Sequence, residues 1–253
     1  MPDSAPFRVW NEYSSYNTEE MRARSNDFYE LIKKRRSVRS FSSKEVPIDI
    51  LDKCIKSAGT APNGANKQPW HFVVITDPVI KKKLRKAAEN EEHLFYNGRA
   101  TQEWLQDLEA FQTTEKKPFL EEAPALIAIF STSYAQKDDG TKEKHYYVRE
   151  SVGIATGILI TALHNAGLAT LTHTPSPMGF LNKVLDRPSN EKAFLLLVCG
   201  FPKKDVKVPI IQKKTFGRNK NHCLREWSNI TLNSSKLFFI GIHTTIPWMQ
   251  IAY

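Results

Sequence analysis

Two short stretches, residues 123–130 and 193–199, are apolar at nearly every position. A strand with one wet face alternates between polar and apolar residues. These do not, so both faces of each must be covered. At this length they fall far short of the roughly twenty residues a membrane span needs. They predict interior strands, 125–130 and 193–198, with helices on either side. The longest helical pattern supplies one cover: over 145–165 the residues Val148, Val152, Ala155, Leu159, Ala162 and Ala166 make a nearly unbroken apolar stripe, closed by Gly167. Gly153, Ala155 and Gly157 permit close helix approach on that segment, which makes it the best candidate for a central or interface helix.

The remaining elements follow from punctuation. Ser25 reads as the cap of a first helix with the apolar face Phe28, Leu31 and Ile32. Pro47 opens a second, with Ile50, Leu51, Cys54, Ile55 and Ala58 at helical spacing and Gly59 at its end. Strand 70–75 comes next, then Asp77-Pro78 caps a charged helix through about residue 90. Residues 91–117 show no strong core face and suit a lid. Asp138-Asp139-Gly140 marks a turn. A strand over 168–174 and a short helix over 179–185 complete the pattern. Helices and strands alternating about a mixed sheet predict an α+β sandwich.

The chain of 253 residues is long enough for one full core. We expect an N-terminal extension at 1–24, one domain at 25–215, and an atypical, weakly structured tail at 216–253. The formal charge of +9 invites a nucleic-acid reading. The basic residues are nevertheless spread along the chain, and neither a groove-reading motif nor stacking aromatics accompany them. Cys54, Cys199 and Cys223 are odd in number and unpatterned; the first two read as small core residues in a reducing compartment. No apolar leader segment opens the sequence, so a cytoplasmic protein is expected. Acceptor patterns at Asn229 and Asn233 carry little weight without a leader. No metal-ligand spacing is present.

Chemistry concentrates at Arg35-Arg36-Ser37-Val38-Arg39. Guanidinium forks match phosphate geometry and stay charged at any working pH. A solvated basic helix end is the plainer alternative. The flanks decide. Val46-Pro47, Ala61-Pro62-Asn63-Gly64-Ala65-Asn66 and Gln68-Pro69-Trp70 follow in order, with Thr172-His173-Thr174-Pro175 far downstream. This succession, over roughly 26–214, resembles the flavin-dependent nitroreductase superfamily and, within it, the branch that dehalogenates iodinated tyrosines.

The resemblance implies a three-layer sandwich, a domain-exchanged homodimer and bound FMN. It places Arg35, Arg36, Ser37 and Val38 at the phosphate end, and Arg39 at the flavin edge where negative charge gathers on reduction. It brings Lys213 to the phosphate, as a charge without a fork. Asn63 and Gly64 would lie against the flavin, and Ala65 beneath the substrate ring. Thr174 would reach flavin N5, which favours one-electron steps, while Thr172 and His173 would complete the strand's cofactor contacts. Thr174 and Arg39 are the expected catalytic pair. Glu92, Tyr96 and Lys117 offer an anion, a donor and a cation, the set that an amino-acid zwitterion needs. They imply reductive removal of halogen from mono- and diiodotyrosine, with electrons from a NADPH-linked reductase. A general nitroreductase or quinone reductase on the same scaffold is the alternative reading, and a non-catalytic flavin or halotyrosine binder is a third.

Overall fold

The computed structural model describes residues 7–109, 111–213, 216–218 and 225–227. By packing, the chain divides into two units, residues 1–100 with 114–206, and residues 101–113 with 207–253. The first unit is built on a four-stranded sheet in the order β1 (Trp70–Ile75), β2 (Ala125–Thr132), β6 (Glu191–Gly200), β5 (Ala169–His173). All three strand pairs are antiparallel, with a register irregularity between Ile129 and Phe130. The parallel component of the sheet is a single bridge from Ser37 to Thr170 at the outer edge of β5.

The two apolar runs are the two central strands. On one face Ala125, Ile127, Ile129, Leu197 and Cys199 pack with Leu51 and Cys54 of α2 (Ile48–Ala58) and Val152, Leu159 and Leu163 of α6 (Val148–Asn165). Leu126, Ala128, Phe130, Leu196 and Val198 point the other way and are equally buried. There α7 (Gly179–Val184) lies on β6, and α3 (Pro78–Leu94) packs on α7 and on the short α5 (Phe119–Glu122). Helix, sheet and helix give the expected three layers.

Several boundaries differ, each for a local reason. The first helix, α1 (Thr18–Ile32), begins well before Ser25, because the Asn17 side chain accepts the Glu20 amide at 2.9 Å and Glu19 and Glu20 favour its N-terminus. Residues 18–24 are therefore helix. Phe28, expected on its apolar face, is exposed. Helix α3 runs on to Leu94 and passes into a π-turn, Phe95–Arg99. Helix α6 starts later than expected because Tyr147 sits in the left-handed region, φ 49°. Gly153 and Gly157 lie on its exposed side, while Ala155 is buried. The predicted turn at 138–140 joins β3 (Tyr134–Gln136) to β4 (Lys142–Lys144), with Asp139 Oδ1 accepting from Thr141.

The second unit holds α4 (Gln102–Glu109) and two paired three-residue strands, β7 (Phe216–Arg218) and β8 (Arg225–Trp227). The rest of the tail expected at 216–253, Cys223 included, lies outside the described residues.

Candidate active site

The arginine stretch is fixed by the edge of the sheet. His164 Nε2 donates to the Leu31 carbonyl at 2.9 Å and secures the end of α1. The chain then turns and runs along β5: the Val38 amide donates to the Thr170 carbonyl at 3.2 Å, and Val38 is buried. Past the bridge, the Lys203 amide bonds the Ser40 carbonyl and the Ser42 amide bonds the Phe201 carbonyl, around a fully buried Phe41. Extended backbone alternates its side chains. With Val38 turned inward, its neighbours Ser37 and Arg39 turn away from the core, and Arg35, Arg36, Ser37 and Arg39 are all half-buried. Burial lowers the Arg39 guanidinium from its ordinary value, and nearby Tyr96 acts in the opposite sense. The group remains a cation at any working pH.

The loop after α2 is held in a strained form. Ala65, Asn66 and Gln68 all have positive φ, near 50°, a region that non-glycine residues occupy at a cost. Asn63 clamps it: its Oδ1 accepts the Gln68 amide at 2.7 Å and its Nδ2 donates to the Ala61 carbonyl at 3.1 Å. A Lys67–Glu143 ion pair ties the loop to β4. Gly64 is closely covered, since a Cβ would stand 3.1–3.2 Å from the carbonyl oxygen and Cβ of Tyr146 and the ring of Tyr147, which would have to give by a few tenths of an ångström. Asn63 thus works on its own loop, and Ala65 is presented by the strain.

Glu92, Tyr96 and Lys117 come together. Lys117 Nζ stands 3.0 Å from Glu92 Oε2 and 5.6 Å from the Tyr96 ring centroid, and its side chain is 5% exposed. It also donates to the Thr114 carbonyl at 2.6 Å. The Lys117 backbone amide is held by Glu89 Oε1 at 2.7 Å, and Arg85 braces Glu89 at 2.9 Å. Burial alone would raise the Glu89 carboxyl, but the Lys117 amide and the Arg85 guanidinium together pull it below its ordinary value. Apart from their spacing of four on α3, nothing in the residue pattern marks this bracing pair. Arg99 adds a further tie, from Glu91 at 2.8 Å to the Ser176 carbonyl at 3.0 Å.

On β5 and just beyond it, Thr172 and Thr174 are exposed and His173 is buried. The three therefore do not share a face: the threonines look outward and the imidazole looks into the first unit. Burial, and secondarily the charge of Lys117, holds His173 down at about 3. Lys213 is exposed and belongs to the second unit. The expected lid is divided between the units, with the π-turn in the first and α4 in the second. No cluster of metal-binding side chains occurs among the described residues.

The half-buried guanidiniums, the Gly64 loop and the outward threonines are thus carried by a helix–sheet–helix α+β sandwich. The chain belongs to the nitroreductase family, whose sequence profile matches residues 32–201. Within that family it groups with iodotyrosine deiodinases. It is 51% identical over 201 residues to the iodotyrosine deiodinase of Haliscomenobacter hydrossis, covering 79% of this chain and 90% of that protein. The Nematostella vectensis iodotyrosine deiodinase is 46% identical over 197 residues, covering 78% of this chain and 75% of that one. A solved iodotyrosine deiodinase, in its oxidised form bound to FMN and 3-iodo-L-tyrosine, superposes with TM-score 0.65 at 33% identity, over 74% of this chain and 96% of the other.

Proposed function

We propose that this chain is an FMN-dependent reductive dehalogenase that converts mono- and diiodotyrosine to tyrosine and iodide. The observation that carries the reading is the buried Glu92–Lys117 pair beside Tyr96, 3.0 Å apart, in a chain whose fold and arginine cluster suit a flavin mononucleotide. FMN, when bound, supplies the two electrons that replace the carbon–iodine bond with carbon–hydrogen, a proton completing the balance.

The chain's own residues bind, orient and enclose. Arg35, Arg36 and Ser37 neutralise and fix the phosphate, and Lys213 is proposed to add charge there. Arg39 holds a fixed cation at the ring edge where reduction concentrates electron density, a preorganised electrostatic contribution. Asn63 and Gly64 set the loop on which Ala65 supports the substrate ring, and Thr172 and Thr174 face the flavin. Glu92 takes the substrate ammonium and Lys117 its carboxylate, so each exchanges one partner for another of the same sign, while Tyr96 fixes orientation. Burying the zwitterion without such partners would be prohibitive.

Purified protein is expected to be yellow, with about one FMN per chain. Arg39→Ala should weaken FMN by roughly tenfold or more, the worth of one charge-assisted contact, or lower the flavin potential, as read by fluorescence titration and redox titration. A colourless protein that ignores added FMN overturns the reading.

A homodimer belongs to the same proposal. Gly153, Ile154 and Gly157 lie on the exposed side of α6, with Ile154 45% exposed, a face suited to close packing against a second copy. Sedimentation should give a mass near twice 28.9 kDa; a flavin-loaded, active monomer refutes it. A NADPH-linked reductase as electron source and a cytoplasmic setting complete the proposal. Among the described residues no helix is long and apolar enough to cross a membrane.

A further inference from the structure

Among the described residues, the His173 Nε2 is buried with no hydrogen-bond partner. Buried polar atoms in folded proteins are nearly always bonded, so an exception on a strand beside the site asks for a reason. His173 is 7% exposed, and its ring meets Phe119 edge-on with centroids 5.6 Å apart. Phe119 opens α5, two residues beyond Lys117, and the Leu120 amide bonds back to the Lys117 carbonyl at 3.1 Å. The imidazole is thus packed against the segment that presents the clamp's cation.

We propose that His173 is a positioning residue for the substrate clamp, its Nε2 lone pair serving as the acceptor that steadies the Lys117 ammonium when a zwitterionic ligand draws Glu92 away. This rests on the halotyrosine reading above. A lysine ammonium has three donors and no acceptor, whereas a neutral imidazole protonated at Nδ1 offers one acceptor at Nε2. Glu92 is the partner that a ligand's ammonium competes for; Lys117 then turns to the ligand's carboxylate, which takes one of its three donors and leaves the others in need of acceptors. A protonated imidazole would repel the ammonium instead; burial and the neighbouring cation keep His173 neutral. An aliphatic residue at this position would pack but could not accept a hydrogen bond.

The test uses the FMN-loaded protein and quenching of flavin fluorescence by iodotyrosine and by iodophenol, which lacks the zwitterion. His173→Phe keeps a ring against Phe119 and removes the acceptor. It should bind FMN normally, lose roughly tenfold in iodotyrosine affinity, the size of one charge-assisted hydrogen bond, and bind iodophenol as wild type does. His173→Gln restores an acceptor near Nε2 and should recover most of the loss. If His173→Phe does not hold FMN, His173→Leu takes its place under the same expectations. Unchanged iodotyrosine binding, or an equal loss for both ligands, overturns the proposal while leaving the halotyrosine reading intact. Wild type binding both ligands equally overturns that reading, and this inference with it.

Discussion

Glu92→Gln is expected to cost iodotyrosine about thirtyfold or more in affinity, and Lys117→Ala as much from the carboxylate side. A buried charge left without its partner is worth roughly 2–5 kcal/mol. Both variants should keep FMN, because neither residue belongs to the arginine stretch or to the other proposed cofactor motifs. Iodophenol should bind wild type poorly and be nearly indifferent to either change. The pair also carries a folding cost. With side chains only 12% and 5% exposed, each single variant strands a buried charge and should melt lower than wild type. The double variant Glu92→Gln with Lys117→Met should recover that stability without recovering binding. Equal binding of iodotyrosine and iodophenol by wild type would remove the zwitterion clamp and favour a general nitroreductase.

The second large effect is on acid stability. His173 titrates near 3 in the fold, against an ordinary 6.5, because burial and then the Lys117 charge disfavour its protonated form. Between those two values the unfolded chain binds a proton that the folded chain does not, so stability falls as pH falls through that window. Integrated from pH 7.5 to pH 4, this one group removes about 3 kcal/mol. His173→Phe abolishes the loss. It also removes an unsatisfied buried nitrogen, itself a penalty of about 1–3 kcal/mol. Urea unfolding at the two pH values should therefore show wild type falling further than the variant by about that integrated amount. Parallel decline of the two proteins would show that His173 is not held neutral in the fold.

What the sequence made legible followed from how local each cause is. The interior strands were visible because burial on both faces leaves no polar alternation, and α2 because its apolar spacing is unbroken. The start of α1 is hidden because Ser25 resembles a cap, while the capping group is Asn17, inside the unpatterned stretch 1–24. There Ser25 merely donates back to the Arg22 carbonyl at 3.0 Å. The arginine stretch and the Glu92, Tyr96, Lys117 set were readable as residue types in order. The Glu89–Arg85 brace was not, because it matters only once the fold brings the Lys117 amide to it. Nor could a motif say that His173 faces away from its neighbours; that follows from strand alternation, which assigns Thr172 and Thr174 to one side and the imidazole to the other. Asn63 is expected in the loop against the cofactor, and within that loop its side chain bonds Ala61 and Gln68.

The Glu92–Lys117 pair has a further consequence, for the response to ionic strength. The clamp is electroneutral by itself, and a zwitterion adds no net charge to it, so occupying it neither gathers nor releases counterions. The arginine stretch is the reverse case, three cations that on the proposed reading hold a dianionic phosphate. Salt should therefore loosen the cofactor's end of the site through screening while leaving the amino-acid end almost untouched, so that the two halves of one site differ in how strongly they feel their medium.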